Sequence, residues 1–359
     1  MENIRKIFFG LGMLVCASQG NACTDFLISA QDGSQVVGRS LEFAEPLESQ
    51  IAVHPKGENR QTKAPNNAEG LSWQSKYSYM AINALGMDMP FDGFNEKGLS
   101  FGFLWMPGSE YQKVPAEKAN QAILVNDLGT WLLGNFATVD EVKQALQSIF
   151  VWGEPIPQLG NIIPPIHISL HDAQGNSAVV EFIKGNVQIY DNTVHVLTNA
   201  PTFDWQLTNL GNYLNLRALN AAEVKIGRTV IQPPGQGSGM LGIPGDWMPP
   251  SRFVRTAAFK EFAQKPKTGD GAVNLAIHLL NTVDIPFGVV EERQQGPNVD
   301  FTQWIVVKDL KRNVMYLRSY IAQSIYKFDF SKLIDTKTVL KAPIPSKAQS
   351  VNLTDTLKG

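Results

Sequence analysis

The order of strand-like and helix-like segments predicts an α+β protein in which sheets are sandwiched by helices. Runs of two-residue alternation cluster at 26–105, 166–198 and 304–319, while helical spacing is confined to two pairs of segments between them. No internal repeat or disordered linker divides residues 23–359, which read as one domain.

The first 22 residues carry a different pattern. Arg5 and Lys6 give a basic start, Ile7 to Val15 is apolar, and Gly20 and Ala22 are small residues where a signal peptidase would cut. The apolar run is too short to span a bilayer, and no later stretch reaches the roughly eighteen apolar residues that a membrane helix needs. The mature chain, 23–359, is therefore expected as a periplasmic or secreted bacterial protein. Uncleaved anchoring and lipidation of Cys23 are the alternatives, although Gly20 stands where lipoprotein signals usually carry leucine.

From Phe26 to Val53 the alternation and the Gln31-Asp32-Gly33-Ser34 turn predict a hairpin. A second strand pair is expected at Tyr77 to Ile82 and Gly98 to Trp105, with Asp92-Gly93 and Glu96-Lys97-Gly98 as turns. Asn120 to Phe136 has helical spacing, and Thr138 with Glu141 forms a capping box ahead of Val142, Ala145, Leu146 and Ile149. Four strands at Ile166 to Leu170, Ala178 to Ile183, Val187 to Tyr190 and His195 to Thr198 read as a meander. Helices follow at Phe253 to Phe262 and Ala272 to Val283, then strands at Trp304 to Val307 and Val314 to Ser319. The Pro- and Gly-rich stretch from Gln232 to Pro250 is too long for an ordinary connection and predicts a functional or interface loop.

A net charge of −2 without blocks of like charge argues against nucleic acid or anionic membrane as partners and leaves a small-molecule substrate. Of two cysteines, Cys16 lies in the signal, so a mature chain has Cys23 alone and forms no internal disulfide. A cysteine at position one combines a thiol with a free α-amine whose pKa lies near 8, enough to cleave an amide without a histidine. The alternative is an inert, buried thiol. Of five histidines, His167 and His171 would share a metal only on a helix, and their surroundings read as strand. With no second mature cysteine and no acidic cluster, no metal or other cofactor is expected.

Cys23-Thr24 and the run Gly38-Arg39-Ser40-Leu41-Glu42-Phe43 resemble the opening of the choloylglycine hydrolase family, which holds bile salt hydrolases and penicillin V acylases. The resemblance continues through Asp92 to Leu99, Leu197 to Trp205, Gly242 to Asp246 and Ser251-Arg252-Phe253. It implies a four-layer αββα N-terminal-nucleophile hydrolase sandwich of antiparallel sheets, acting on linear amides through a thioester on Cys23. It also implies that Arg39 favours the thiolate, Glu42 holds the α-amine where bile salt hydrolases have aspartate, and Asn199 donates to the oxyanion. Trp105 stands where that group has asparagine, as in penicillin V acylases of Gram-negative bacteria, and Arg252 matches a second active-site arginine. Asn95, Glu96 and Lys97 read as a structural turn. The Pro/Gly loop implies a homo-oligomer, a tetramer by resemblance. Bile-salt conjugates and penicillin V-type amides are the expected substrates; N-acyl-homoserine lactones and a catalytically inert or lipid-anchored binding protein are the alternatives.

Overall fold

The computed structural model describes residues 22–292 and 298–357; the expected signal falls outside them. Cys23–Ser29 (β1) and Gln35–Phe43 (β2) form the expected hairpin. Gln50–His54 (β3), Tyr79–Asn83 (β4), Pro90–Asn95 (β5) and Ser100–Trp105 (β6) follow, then helices Val125–Asn135 (α1) and Val139–Leu146 (α2). Next come Ile166–His171 (β7), Ser177–Ile183 (β8), Asn186–Asp191 (β9) and Val196–Leu197 (β10). Helices Phe203–Leu210 (α3), Pro249–Phe262 (α4) and Gly269–Asn281 (α5) lead to Phe301–Asp309 (β11), Val314–Ser319 (β12), Tyr326–Asp329 (β13) and Leu340–Pro343 (β14).

Two antiparallel sheets result. One runs β10-β1-β2-β11-β12-β13 and the other β9-β8-β7-β6-β5-β4-β3-β14. Helices α4 and α5 cover the outer face of the first sheet and α1 that of the second, giving the αββα layers. The inner faces bury a continuous cluster that includes Leu27, Val37, Phe94, Leu104, Val306 and Leu317.

Local signals are reproduced where local chemistry suffices. Thr138 caps α2 by accepting from the Glu141 N–H at 3.2 Å, and Glu141 reaches back to the Ala137 N–H at 2.6 Å, one residue before the cap. Asn95 serves its turn: Oδ1 accepts from the Lys97 and Leu99 N–H groups, and Nδ2 donates to Leu133 and Phe136 carbonyls of α1 and its end.

Three expectations are corrected. Asp92-Gly93 is not a turn but the middle of β5, which lies between β4 and β6 and pairs with both. The four-strand meander is a three-strand one, because the fourth strand, β10, leaves for the other sheet and pairs with β1. The helix expected from Asn120 starts at Val125, after a short strand Ala122–Leu124 that pairs in parallel with Phe150–Trp152. The Pro/Gly stretch is a loop with a single short turn of helix, preceded by an exposed hairpin of Val224–Ile226 and Thr229–Ile231.

Gly93 is required where α1 crosses β5, since a Cβ there would stand 2.7 Å from the Met80 carbonyl and 2.8 Å from Leu133 Cδ1. Backbone cannot move aside as a flexible side chain would. Gly93→Ala should therefore cost about 1–3 kcal/mol of stability, the usual range for overpacking, read as a lowered urea midpoint at unchanged slope.

Candidate active site

The β1–β2 hairpin sets the site. Cys23 pairs with Leu41 and Asp25 with Arg39, and directly opposed residues of an antiparallel pair project to the same side. Cys23, Asp25, Arg39 and Leu41 thus face the second sheet. Thr24, Ser40 and Glu42 take the opposite face, toward α4 and α5.

Arg39 is wholly buried between the sheets. Its Nη2 donates to the Phe103 carbonyl, Nε lies 3.7 Å from Asp92 Oδ2, and the guanidinium sits 5.9 Å from the Trp304 ring centroid. A Cβ at position 102 would collide with Nη1, so Gly102 supplies the space for the guanidinium. Lys308 Nζ donates to both oxygens of Asp92 at 2.9 and 2.7 Å. Across the hairpin, Asp25 Oδ1 accepts from Ser169 Oγ at 2.7 Å and lies 2.6 Å from His171 Nε2. Burial pushes the Asp25 carboxyl up, but His171, Lys308 and Arg39 more than offset it and hold it at about 2. Isolated buried charges are costly, and the carboxylates and carbonyl around Arg39 compensate its guanidinium for the loss of water.

The Asn199 amide joins three elements, β1, β6 and α4. Its Oδ1 accepts from the Cys23 N–H at 2.6 Å and from Arg252 Nη2 at 2.7 Å, which fixes the amide's orientation, since both partners donate. Its Nδ2 donates to the Trp105 carbonyl at 2.7 Å and keeps a second hydrogen. Arg252, on the first turn of α4, also donates to the Cys23 carbonyl, to Thr24 Oγ1 at 2.8 Å and, through Nε, to the Trp247 carbonyl at 2.9 Å.

Trp105 ends β6 and packs edge-on against Phe43, ring centroids 5.7 Å apart. The Met106 N–H donates to the Pro165 carbonyl at 2.8 Å, and successive N–H groups of a strand point to opposite edges. The Trp105 N–H therefore points away from β7, to an edge where the β5–β6 ladder has already stopped at Asp92 and Gly102.

Glu42 is buried, accepts from Thr302 Oγ1 at 2.9 Å through Oε1, and has no hydrogen-bond partner for Oε2 among the described residues. Its N–H donates to the Ala22 carbonyl, placing it against the Ala22–Cys23 junction. Burial raises its pKa from 4.5 to about 8, against the pull of Arg252. Burial likewise pushes the Cys23 thiol up, with Arg39 and Arg252 pulling it down and Glu42 adding to the rise.

All six residues singled out from the sequence, Cys23, Arg39, Glu42, Trp105, Asn199 and Arg252, meet at this point. Asp25, Asp92 and Lys308 were missed as site residues. Asp92 lies inside one of the family-like blocks, but Asp-Gly is also common turn chemistry, which hides its place in a strand. His167 and His171 are both buried on one face of β7, and the described residues contain no cluster of three side chains suited to a metal. A recess of about 290 Å³ beside Ala22 is lined by Trp247, Met248, Pro249, Ile285, Val290 and Asp300.

A family model of linear amide C–N hydrolases, the choloylglycine hydrolase family, matches residues 23–339. A bile salt hydrolase/transferase of Clostridium perfringens is 32% identical over 318 residues, covering 86% of this chain and 93% of that protein. A penicillin V acylase of Pectobacterium atrosepticum is 29% identical, covering 87% and 82%. Among solved structures, a variant of conjugated bile acid hydrolase from Clostridium perfringens superposes with a TM-score of 0.81 at 29% identity, covering 92% of this chain and 100% of that one. Penicillin V acylase from Agrobacterium tumefaciens gives 0.72 at 27% identity, covering 89% and 90%. With a matched segment that starts on Cys23 itself, the chain belongs to the choloylglycine hydrolase family of linear amide C–N hydrolases.

Proposed function

We propose that the chain, once cut before Cys23, hydrolyses the amide of conjugated bile acids or of phenoxyacetyl amides such as penicillin V, with Cys23 as nucleophile. The observation that carries this is the Asn199 amide, which accepts from both the Cys23 N–H and Arg252, while Arg252 also holds the Cys23 carbonyl, the Glu42 main chain pairs with Ala22, and Arg39 lies on the thiol's face.

Cleavage of the Ala22–Cys23 bond would turn the N–H now held by Asn199 into an amine, which takes the thiol proton as general base. The thiolate attacks the substrate carbonyl, and negative charge moves to its oxygen. The second Nδ2 hydrogen of Asn199 and the Trp105 N–H are the donors for that oxygen. The intermediate collapses, the C–N bond breaks, and the ammonium returns its proton to the departing amine. Water then attacks the thioester, the amine takes its proton, and the acid leaves as the thiol reforms. Arg39 supplies positive charge near the sulfur throughout. The Trp105 main chain serves where tryptophan replaces asparagine, because an N–H donor is independent of the side chain.

Export follows from the same reading, with the mature protein periplasmic or secreted and free of lipid. The exposed hairpin with Val224, Ile226, Val230 and Ile231, together with Leu219 and Leu241, supports a homo-oligomer. A tetramer is proposed, and sedimentation equilibrium should give a mass near four mature chains rather than one.

On glycocholate, taurocholate, penicillin V and N-acyl-homoserine lactones, the mature chain should turn over at least one, and Cys23→Ala should lower that rate by about 10⁴-fold or more, as loss of a nucleophile does. Exported protein should have an intact mass beginning at Cys23; a diacylglyceryl adduct there, or activity surviving Cys23→Ala, would sink the mechanism.

Glu42 gives a pH test of the uncut chain. A carboxyl whose pKa rises on folding from 4.5 to about 8 binds its proton more tightly in the native state, so its contribution is present below pH 4.5 and is lost as pH rises through 8. A chain retaining Ala22 should lose urea stability from pH 5 to pH 8. In the cut chain the new ammonium favours ionised Glu42, and this part of the loss should shrink.

A further inference from the structure

His167 and Glu181 are cross-strand neighbours on β7 and β8, wholly buried, and no step above uses them. Both meet the segment that carries Asn199. His167 Nε2 lies 2.8 Å from the Thr198 carbonyl, and Glu181 Oε1 accepts from the Phe203 N–H at 2.8 Å. His167 Nδ1 is 3.3 Å from the same Glu181 oxygen. A carbonyl only accepts, so Nε2 carries a hydrogen, and a further hydrogen between Nδ1 and Oε1 is needed to join the two side chains.

We propose that His167 and Glu181 are positioning residues for the oxyanion donor, gripping residues 198 and 203 so that the Asn199 amide lies between two fixed points. The inference rests on the proposed role of Asn199. Thr198 directly precedes Asn199, and Phe203 opens α3, whose Gln206 Nε2 donates to the Asn199 carbonyl at 3.3 Å. The pair belongs to the second sheet, whereas Cys23 and β10 belong to the first. It thus fixes the donor relative to the Trp105 main chain, which is on that second sheet too. Misplacing a reacting group by about an ångström can cost about 100-fold in rate. That loss falls on the transition state, because the donor meets its charge only there.

The test compares His167→Phe, which removes the donor to Thr198, with His167→Gln, whose amide can replace it. Glu181→Leu and Glu181→Gln form a second pair, in case His167→Phe does not fold. With penicillin V or glycocholate as probe, His167→Phe and Glu181→Leu should lose about 10- to 100-fold in kcat with KM within about twofold, the range set by donor misplacement. The Gln variants should recover most of it. Alkylation of Cys23 by iodoacetamide forms no oxyanion, so its rate should fall much less than kcat in every folded variant.

Unchanged kcat in the Phe and Leu variants, a rise in KM alone, or alkylation falling in step with kcat overturns the inference. So does a Gln variant as impaired as its apolar counterpart. Failure of the underlying reading shows elsewhere, as a wild-type chain inert on both probes or a Cys23→Ala chain that still works, and would take this inference down with it.

Discussion

The amide of Asn199 is the tie on which the site depends. It hydrogen-bonds the Cys23 main chain, the α4 arginine and the end of β6, which come from both sheets and from the helical layer over the first. Each bond uses a different capacity of one group: two lone pairs on Oδ1 and one of two hydrogens on Nδ2. An aspartate at 199 would keep the acceptors but lose the donation to Trp105. A leucine would leave the Arg252 guanidinium short of a buried partner, a cost of roughly 1–3 kcal/mol for an unmade buried hydrogen bond and more for a charged one.

Around that tie the interior is unusually polar for a space between two sheets. Arg39, Lys308, Asp25 and Asp92 are buried there with His171 and Ser169. Such a set contributes little net stability, because desolvating each ion offsets most of the mutual attraction. What it does is fix Arg39. The guanidinium is held on the inner face of the hairpin by the Phe103 carbonyl and lies beside Asp92, and Gly102 leaves it room at a place where a side chain would push it away. Stability comes instead from the apolar residues that continue the same inner faces on either side.

Legibility in the sequence followed the range of the interaction. The β1–β2 hairpin, the Thr138 cap and helices α4 and α5 depend on residues within a few positions of one another, and they were readable. The fate of β10 was not, since alternation marks a strand but says nothing of which sheet it joins. Asp92-Gly93 misled for a related reason: the partner that makes Asp92 a strand residue is Lys308, 216 positions away. In the site, Cys23, Arg39, Glu42, Trp105, Asn199 and Arg252 were found because motif blocks surround them. Asp25, His167 and Glu181 sit in strands whose polar positions look like a solvated face, and only the stacking of the two sheets on each other buries them.

The uncut chain already holds most of this geometry, which under the proposed mechanism separates folding from activation. Cys23 is in register with Leu41, Asn199 and Arg252 have their partners, and the thiol has its guanidinium on the same face. What the peptide bond to Ala22 withholds is the base: an amide nitrogen's lone pair is delocalised into the carbonyl and does not accept the thiol proton, and burial favours the protonated thiol. Glu42 completes the argument. In the uncut chain its main chain pairs with Ala22 and its carboxyl accepts from Thr302, and burial favours the protonated form of that carboxyl. Once the released α-amine has taken the thiol proton it is a cation, and Glu42 Oε2, which has no hydrogen-bond partner among the described residues, is the acceptor for it. Under the proposed mechanism one cut therefore creates the base, supplies the partner that Glu42 lacks, and leaves the scaffold unchanged.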